Sequence, residues 1–186
     1  MIECKEITKK FGSKTVLDNF SAVFTDNSTT CLLAPSGAGK TTLLHIIAGL
    51  LPFDSGEIAG TDGKKTTVVF QTPRLLPWLT ARENVEAVTK KKNEAAYFLE
   101  QTELYGEINK YPDNLSGGQK QRVALARAMA FGGDILLLDE PFTGLDEKLT
   151  DRIWLKIKER FKNAIIICSI HDSGLAEKIA DKILTL

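Results

Sequence analysis

TTCLLAPSGAGKTT, residues 29 to 42, passes from an apolar run through a turn with two glycines into Lys40-Thr41-Thr42. Its first part, Thr29–Ala34, is continuously apolar rather than alternating. That pattern suits a strand covered on both faces, as in a parallel sheet. Gly37 and Gly39 let the backbone turn tightly and present N–H groups inward. A helical pattern over Lys40–Gly49 follows, and its N-terminus adds partial positive charge at the turn. Strand, glycine-rich turn and helix, in that order, are the context of a phosphate-binding loop. Lys40 is placed to reach the β- and γ-phosphates of a nucleotide, and Thr41 to offer its hydroxyl to Mg2+. The usual GxxxxGK[ST] spacing opens on glycine, where this chain has Ala34. A positive φ or very close packing at that position would make Ala34 cost about 1 kcal/mol, weakening or adjusting binding without abolishing it.

Working outward, three more short runs read as buried strands: Thr67–Gln71, Ile135–Asp139 and Ala164–Ser169. Met1–Ile7, Val16–Phe24 and Lys182–Leu186 are weaker candidates, assigned to an antiparallel fringe. Between the strands lie helical patterns at Glu94–Thr102, Gln119–Phe131, Lys148–Phe161 and Ser173–Ala180. Gln119–Phe131 stops at Gly132-Gly133. Lys148–Phe161 repeats Ile153, Ile157 and Phe161 at four-residue spacing. Alternating strand and helix give an α/β class with a mostly parallel sheet. Pro73–Asn114 lacks a strong strand signal and reads as a small helical lobe inserted into the sheet domain. The expected division is therefore 1–72 with 115–186 as the core lobe and 73–114 as the helical subdomain.

A chain of 186 residues suffices for one core with a small second lobe. Lys plus Arg and Asp plus Glu number 24 each, so bulk charge does not recruit nucleic acid or an anionic membrane. Cys4, Cys31 and Cys168 are far apart and lack CxxC spacing, which argues against a disulfide framework and a zinc site. Cys31 and Cys168 lie in apolar runs and are expected as buried free thiols in a reducing compartment. The start, MIECKEITKKFG, does not read as a signal peptide. Leu43–Leu51 and Ala164–Ile170 fall short of the ~20 residues of a spanning helix. Work at a membrane would need spans from another chain.

Two further motifs carry chemistry. Ile135–Leu138 runs into Asp139 and Glu140, and adjacent side chains on a strand point opposite ways, so the two acids serve different places. Asp139 is then placed for the Mg2+ shell and Glu140 to polarise an attacking water. Leu115-Ser116-Gly117-Gly118-Gln119 precedes an Ala-rich helix whose N-terminus could grip a second anion. Two anion-binding helix starts are hard to place on one nucleotide. The simplest geometry gives each nucleotide one loop from each of two chains, which predicts a dimer.

With these elements together, the chain resembles the nucleotide-binding subunits of ABC transporters, over almost its entire length. LSGGQKQRVALARAM (115–129) is similar to the family's signature sequence and helix. ILLLDEPFTGLD (135–146) resembles its Walker B strand and D-loop, with Asp146 at the D-loop acid. By the same resemblance, Gln71 is the glutamine that contacts the metal–water site and the transmembrane partner. His171 is the switch histidine at the γ-phosphate, and Phe11 the aromatic that stacks on adenine. FQTPRLLPWLTARENV (70–85) resembles the importer ATPases of the nitrate, sulfonate and taurine type. The chain departs from the family at Ala34 and at Ile170, where Thr usually precedes the histidine. It also lacks, after Leu186, the C-terminal regions that many relatives carry, and so resembles a minimal cassette.

The resemblance implies a P-loop NTPase (RecA-like) core, with ATP and Mg2+ as cofactors and a homodimer of cassettes. In each site one chain gives Phe11, Ser36, Gly37, Ala38, Gly39, Lys40, Thr41, Thr42, Gln71, Asp139, Glu140 and His171. The other gives Ser116, Gly117, Gly118 and Gln119, with Asp146 in the D-loop. Lys40, Glu140 and His171 are the catalytic set; Thr41, Gln71 and Asp139 are the metal set. The implied partner is a transmembrane permease, with a solute-binding protein indirectly and no nucleic acid. The implied place is the cytoplasmic face of the membrane, and the implied task is powering solute transport, with a lean to import. Two other readings are a non-transport ABC ATPase and a degenerate ATP-binding interaction module, the latter kept open by Ala34. His45 reads as part of the phosphate-loop helix. Trp78 and Trp154 read as packing residues, with a partner surface as the lesser reading for Trp78. Lys90–Lys92 reads as a solvated loop or helix end.

Overall fold

A computed structural model describes residues 1–89 and 94–186. The Lys90–Lys92 reading lies outside the described residues. The chain divides into two compact units. Unit 1 comprises 1–68, 133–140 and 162–186; unit 2 comprises 69–132 and 141–161.

Unit 1 contains β1 (Ile2–Phe11), β2 (Lys14–Phe24), β3 (Thr29–Leu33), α1 (Lys40–Ile47) and β4 (Ser55–Ala59). The strand β5 (Thr66–Val69) crosses into unit 2 at its last residue. β6 (Ile135–Asp139), β7 (Ile165–Ile170), α6 (Ser173–Ile179) and β8 (Lys182–Thr185) complete the unit. A five-stranded sheet runs β5-β6-β7-β3-β8, and a three-stranded one β2-β1-β4. The pairs β6/β7, β7/β3 and β3/β8 are parallel. β6 and β7 are buried along their whole length, as continuous apolar runs require. Ile135, Leu137, Ile165 and Ile167 join Leu43, Leu44, Ile46 and Ile47 of α1 in the core cluster.

One expectation changes here, one strand is added, and one condition is settled. β8 lies in the main sheet, parallel to β3, and not in the antiparallel fringe. Asp181 sets that register: its N–H donates to the Thr29 carbonyl at 2.9 Å, and its Oδ2 accepts from the Thr29 N–H at 2.8 Å. β4 has no apolar run to announce it. It is a strand because it pairs with β1, Ile58 opposite Cys4 and Ala59 opposite Glu3. Gly56 permits that approach, since a Cβ there would lie 2.6 Å from the Glu6 carbonyl oxygen. Ala34, third, is not among the residues with positive φ, so it carries no such backbone cost.

Unit 2 contains α2 (Ala81–Glu86), α3 (Glu94–Gln101), α4 (Gly117–Phe131) and α5 (Glu147–Arg160). α2 opens on a capping box, Thr80 with Glu83. This unit is larger than the expected 73–114 lobe, because α4 and α5 belong to it. α4 packs on α2 and α3. Arg122 donates to the carbonyls of Thr102 and Glu103, at 3.3 and 2.7 Å. Arg160 of α5 donates to the Met129 carbonyl at 2.9 Å. Arg152 grips the Glu103 carboxylate and holds its pKa below the usual range. Trp154 is buried edge-on to Phe142, as a packing residue. Trp78 is not: it is 68% exposed. The turn that carries it is tied from below by Asn84. That fully buried side chain accepts from the Leu76 N–H at 2.7 Å and donates toward the carbonyls of Leu76, Leu79 and Thr80.

All three cysteines are buried free thiols. Burial pushes the Cys4 thiol up to about 12, and Cys168 well above its ordinary value.

Leu137 is fully buried in the unit 1 core, whereas Leu155 of α5 is 66% exposed. Leu137→Ala should cost about 2–5 kcal/mol, and Leu155→Ala stay within about 0.5 kcal/mol of the parent. Urea denaturation midpoints of the two variants check this contrast.

Candidate nucleotide site

The phosphate loop occupies the gap between β3 and α1, and Ser36, Gly37, Ala38 and Gly39 form its turn. Gly39 is the N-cap of α1 at φ 102°, a left-handed conformation. A Cβ there would also meet Leu17 Cδ2 and the Val16 carbonyl oxygen, both at 3.0 Å. Position 39 is therefore closed to larger residues by conformation and by space. Pro35, Ser36 and Gly37 are exposed at the tip, whereas Lys40 is only 5% exposed. Its Nζ folds back over the loop and donates to the carbonyls of Ala34 at 2.5 Å and Pro35 at 3.1 Å. Thr41 and Thr42 are half-buried in the first turn of α1.

β6 ends at Asp139, which is 2% exposed. The expected alternation of Asp139 and Glu140 along one strand does not occur, because Glu140 has left the strand. Its φ is 47°, and this left-handed step turns its side chain away. The Glu140 N–H donates to Ser169 Oγ at 3.0 Å and to the Ser169 carbonyl at 3.2 Å. The Glu140 carboxylate is in hydrogen-bond contact with His171 Nε2. The other ring nitrogen, Nδ1, lies 3.4 Å from Lys40 Nζ. Lys40, His171 and Glu140 thus form one contiguous polar chain at the ends of β3, β6 and β7.

Asp139 Oδ1 accepts from Ser169 Oγ at 2.7 Å, and among the described residues no cationic side chain is paired with it. A buried carboxylate without a cation is costly. A hard divalent cation held by carboxylate and hydroxyl oxygens would relieve that cost, so Asp139 with Thr41 suits Mg2+ by donor chemistry.

Phe11, at the end of β1, is 50% exposed and has Lys9 Nζ 5.4 Å from its ring centroid. Its exposed face is free of the core, as a stacking aromatic requires.

The remaining residues of interest belong to unit 2. Gln71 is exposed in the loop after β5. Ser116 caps α4 through a capping box: its hydroxyl accepts from the Gln119 N–H at 3.2 Å, and Gln119 Oε1 accepts from the Ser116 N–H at 2.9 Å. A Cβ on Gly118 would lie 2.7 Å from the Gly144 carbonyl oxygen, so these loops touch only because residue 118 is glycine. Gly117 has open space around it. Asp146 caps α5 by accepting from the Leu149 N–H at 2.9 Å.

Ser169 and Gly144 were not anticipated as site residues. The available signals were a hydroxyl in an apolar strand two places before His171, and a glycine two places before Asp146.

A family model described as ABC transporter matches residues 17–143, more than half of the 186-residue chain. The chain is similar to the aliphatic sulfonates import ATP-binding protein SsuB 1 of Pseudomonas fluorescens, 38% identical over 100% of this chain and 73% of that protein. It is likewise 38% identical to the sulfate/thiosulfate import ATP-binding protein CysA 2 of Chromobacterium violaceum, over 97% of this chain and 54% of that protein. Among solved structures, a dimeric post-hydrolysis state of an ATP-binding cassette bound to ADP and Pi matches with TM-score 0.88 and 28% identity. That match covers 100% of this chain and 94% of the other.

Gly118→Ala should force the α4 start away from Gly144 and lower the melting temperature by several degrees, for a cost of about 1–3 kcal/mol. Gly117→Ala, in open space, should leave the melting temperature unchanged or raise it slightly. Thermal unfolding followed by circular dichroism separates the two.

Proposed function

The chain belongs to the ABC transporter family as an ATP-binding, ATP-hydrolysing subunit, and from that premise we propose that two copies close on two MgATP molecules to drive a membrane permease. The observation that carries the reading is the convergence of Lys40, His171 and Glu140 beside the phosphate loop, with buried Asp139 next to them. Lys40 and the loop amides from Ser36 to Thr42 stabilise phosphoryl charge. Phe11 stacks on adenine. Thr41 and Asp139 would hold Mg2+, which when bound would neutralise charge on the phosphate oxygens. Glu140 accepts the proton of the attacking water, whose oxygen bonds to the γ-phosphorus as the bond to ADP breaks. His171 holds the γ-phosphate. Lys40 and Glu140 both contact the His171 ring, so all three lie within reach of one phosphate group.

Ser116, Gly117, Gly118 and Gln119 grip the nucleotide held by the partner copy. Open space at Gly117 supports a close approach of phosphate to backbone there. Asp146 stands in the D-loop segment, where the family resemblance assigns it to the shared nucleotide. Hydrolysis removes charge that bridges the two copies, so the dimer opens. Gln71 and the 73–114 segment pass that motion to the permease, from a peripheral position on the inner face of the membrane. Among the described residues, no helix is long and apolar enough to cross a membrane. The direction is import, as in the name of the sulfonate relative. The permease and a solute-binding protein select the solute. Zero net charge supports a mechanism without nucleic acid.

Glu140→Gln should keep ATP binding while turnover falls by about 10²–10⁴-fold. Lys40→Ala should lose both. Light scattering on the Glu140→Gln protein should show a monomer that becomes a dimer only with MgATP. Full turnover by that protein would remove Glu140 from its role.

A further inference from the structure

Ser169 is fully buried in β7, and both faces of its hydroxyl are used. Ser169 Oγ donates to Asp139 Oδ1 at 2.7 Å and accepts from the Glu140 N–H at 3.0 Å. The register explains why this position alone does so. Asp139 and Ser169 are partners across the parallel pair β6/β7, so their side chains share a face of the sheet. A hydroxyl at position 168 or 170 would point to the opposite face, and both places carry other groups, Cys168 and Ile170. A serine in an otherwise apolar strand gives up hydrophobic burial, and a buried hydroxyl is tolerated only when hydrogen-bonded.

We propose that Ser169 is a positioning residue for hydrolysis, fixing the Asp139 carboxylate for its divalent cation and holding the left-handed backbone step of Glu140. The hydrogen bond to Oδ1 fixes the rotation of the carboxylate, which directs Oδ2. The Glu140 N–H is shared between Ser169 Oγ at 3.0 Å and the Ser169 carbonyl at 3.2 Å, and the hydroxyl, the shorter of the two, helps hold the φ of 47° that brings the Glu140 carboxylate to His171. One hydroxyl therefore coordinates two acids that stand next to each other in sequence and serve different purposes. Outer-shell partners of this kind typically influence metal affinity or activity 10–100-fold. The inference rests on the reading of Asp139 as a metal ligand and Glu140 as the base.

The test compares wild type, Ser169→Ala and Ser169→Thr. Fluorescence titration with mant-ATP in EDTA, repeated across a range of free Mg2+, gives nucleotide affinity and its metal dependence at equilibrium. Steady-state turnover on the same samples gives kcat. For Ser169→Ala, metal-free affinity should match wild type. The free Mg2+ needed for half-maximal strengthening of binding should rise roughly tenfold, and kcat should fall by a similar factor. Ser169→Thr, which keeps the hydroxyl, should restore most of both. An unchanged Mg2+ requirement in Ser169→Ala, with only a lowered melting temperature, overturns the proposal. Should Ser169→Ala not fold, Ser169→Cys, a near-isosteric weak donor, takes its place with the same expected direction and the same overturning result. A wild-type protein whose mant-ATP binding ignores Mg2+ would sink the underlying reading of Asp139 instead, which the wild-type curve reveals by itself.

Discussion

Three adjacent strand ends, kept level by parallel hydrogen bonding, are the constraint on which the chemistry of unit 1 depends. β6 pairs with β7 so that Asp139 lies beside Ser169, and β7 pairs with β3 so that Ile170 lies beside Leu33. The chain leaving each strand therefore emerges at one edge: Ala34 after β3, Glu140 after β6, His171 after β7. Open α/β sheets place ligands at this carboxyl edge for the same reason. A slip of one residue between β6 and β7 would turn Ser169 to the opposite face and separate it from Asp139.

The apolar character of the strands gives the polar groups at their ends their strength. Lys40 and Asp139 are nearly inaccessible to water. In such surroundings a hydrogen bond is strong and an unmade one is costly. Lys40 is accordingly bonded to two carbonyls, Asp139 to a hydroxyl, and Glu140 to His171.

Unit 2 uses its polar side chains differently. Ser116 and Asp146 spend their oxygens on N–H groups of their own helices, and Gln119 bonds back to the Ser116 backbone. What this loop presents outward is chiefly backbone, made accessible by Gly117. Gly118 is glycine for another reason, the nearby Gly144 carbonyl. Two neighbouring glycines thus answer to two requirements, one open and one steric.

Much of this was legible along the chain because the signals are local. Apolar runs, glycine spacing and the acids at a strand end do not need distant residues to be read, so the parallel sheet, the phosphate loop and most helix positions followed from sequence. The residues that escaped are those whose state depends on a partner far along the chain. β4 is a strand only against β1, and β8 joins the main sheet through Asp181 and Thr29. Helices α4 and α5 belong with the helical unit because Arg122 and Arg160 reach carbonyls in it. By itself the sequence determined the fold class, the family and the identities of the candidate site residues, since each rests on spacing within a few turns or strands. Tertiary structure alone decided that Ala34 has no positive φ, that Glu140 steps off its strand, and that the Ser169 hydroxyl bonds to both Asp139 and the Glu140 N–H. Each of those is set by strand register and backbone dihedral, quantities that exist only after distant segments have packed.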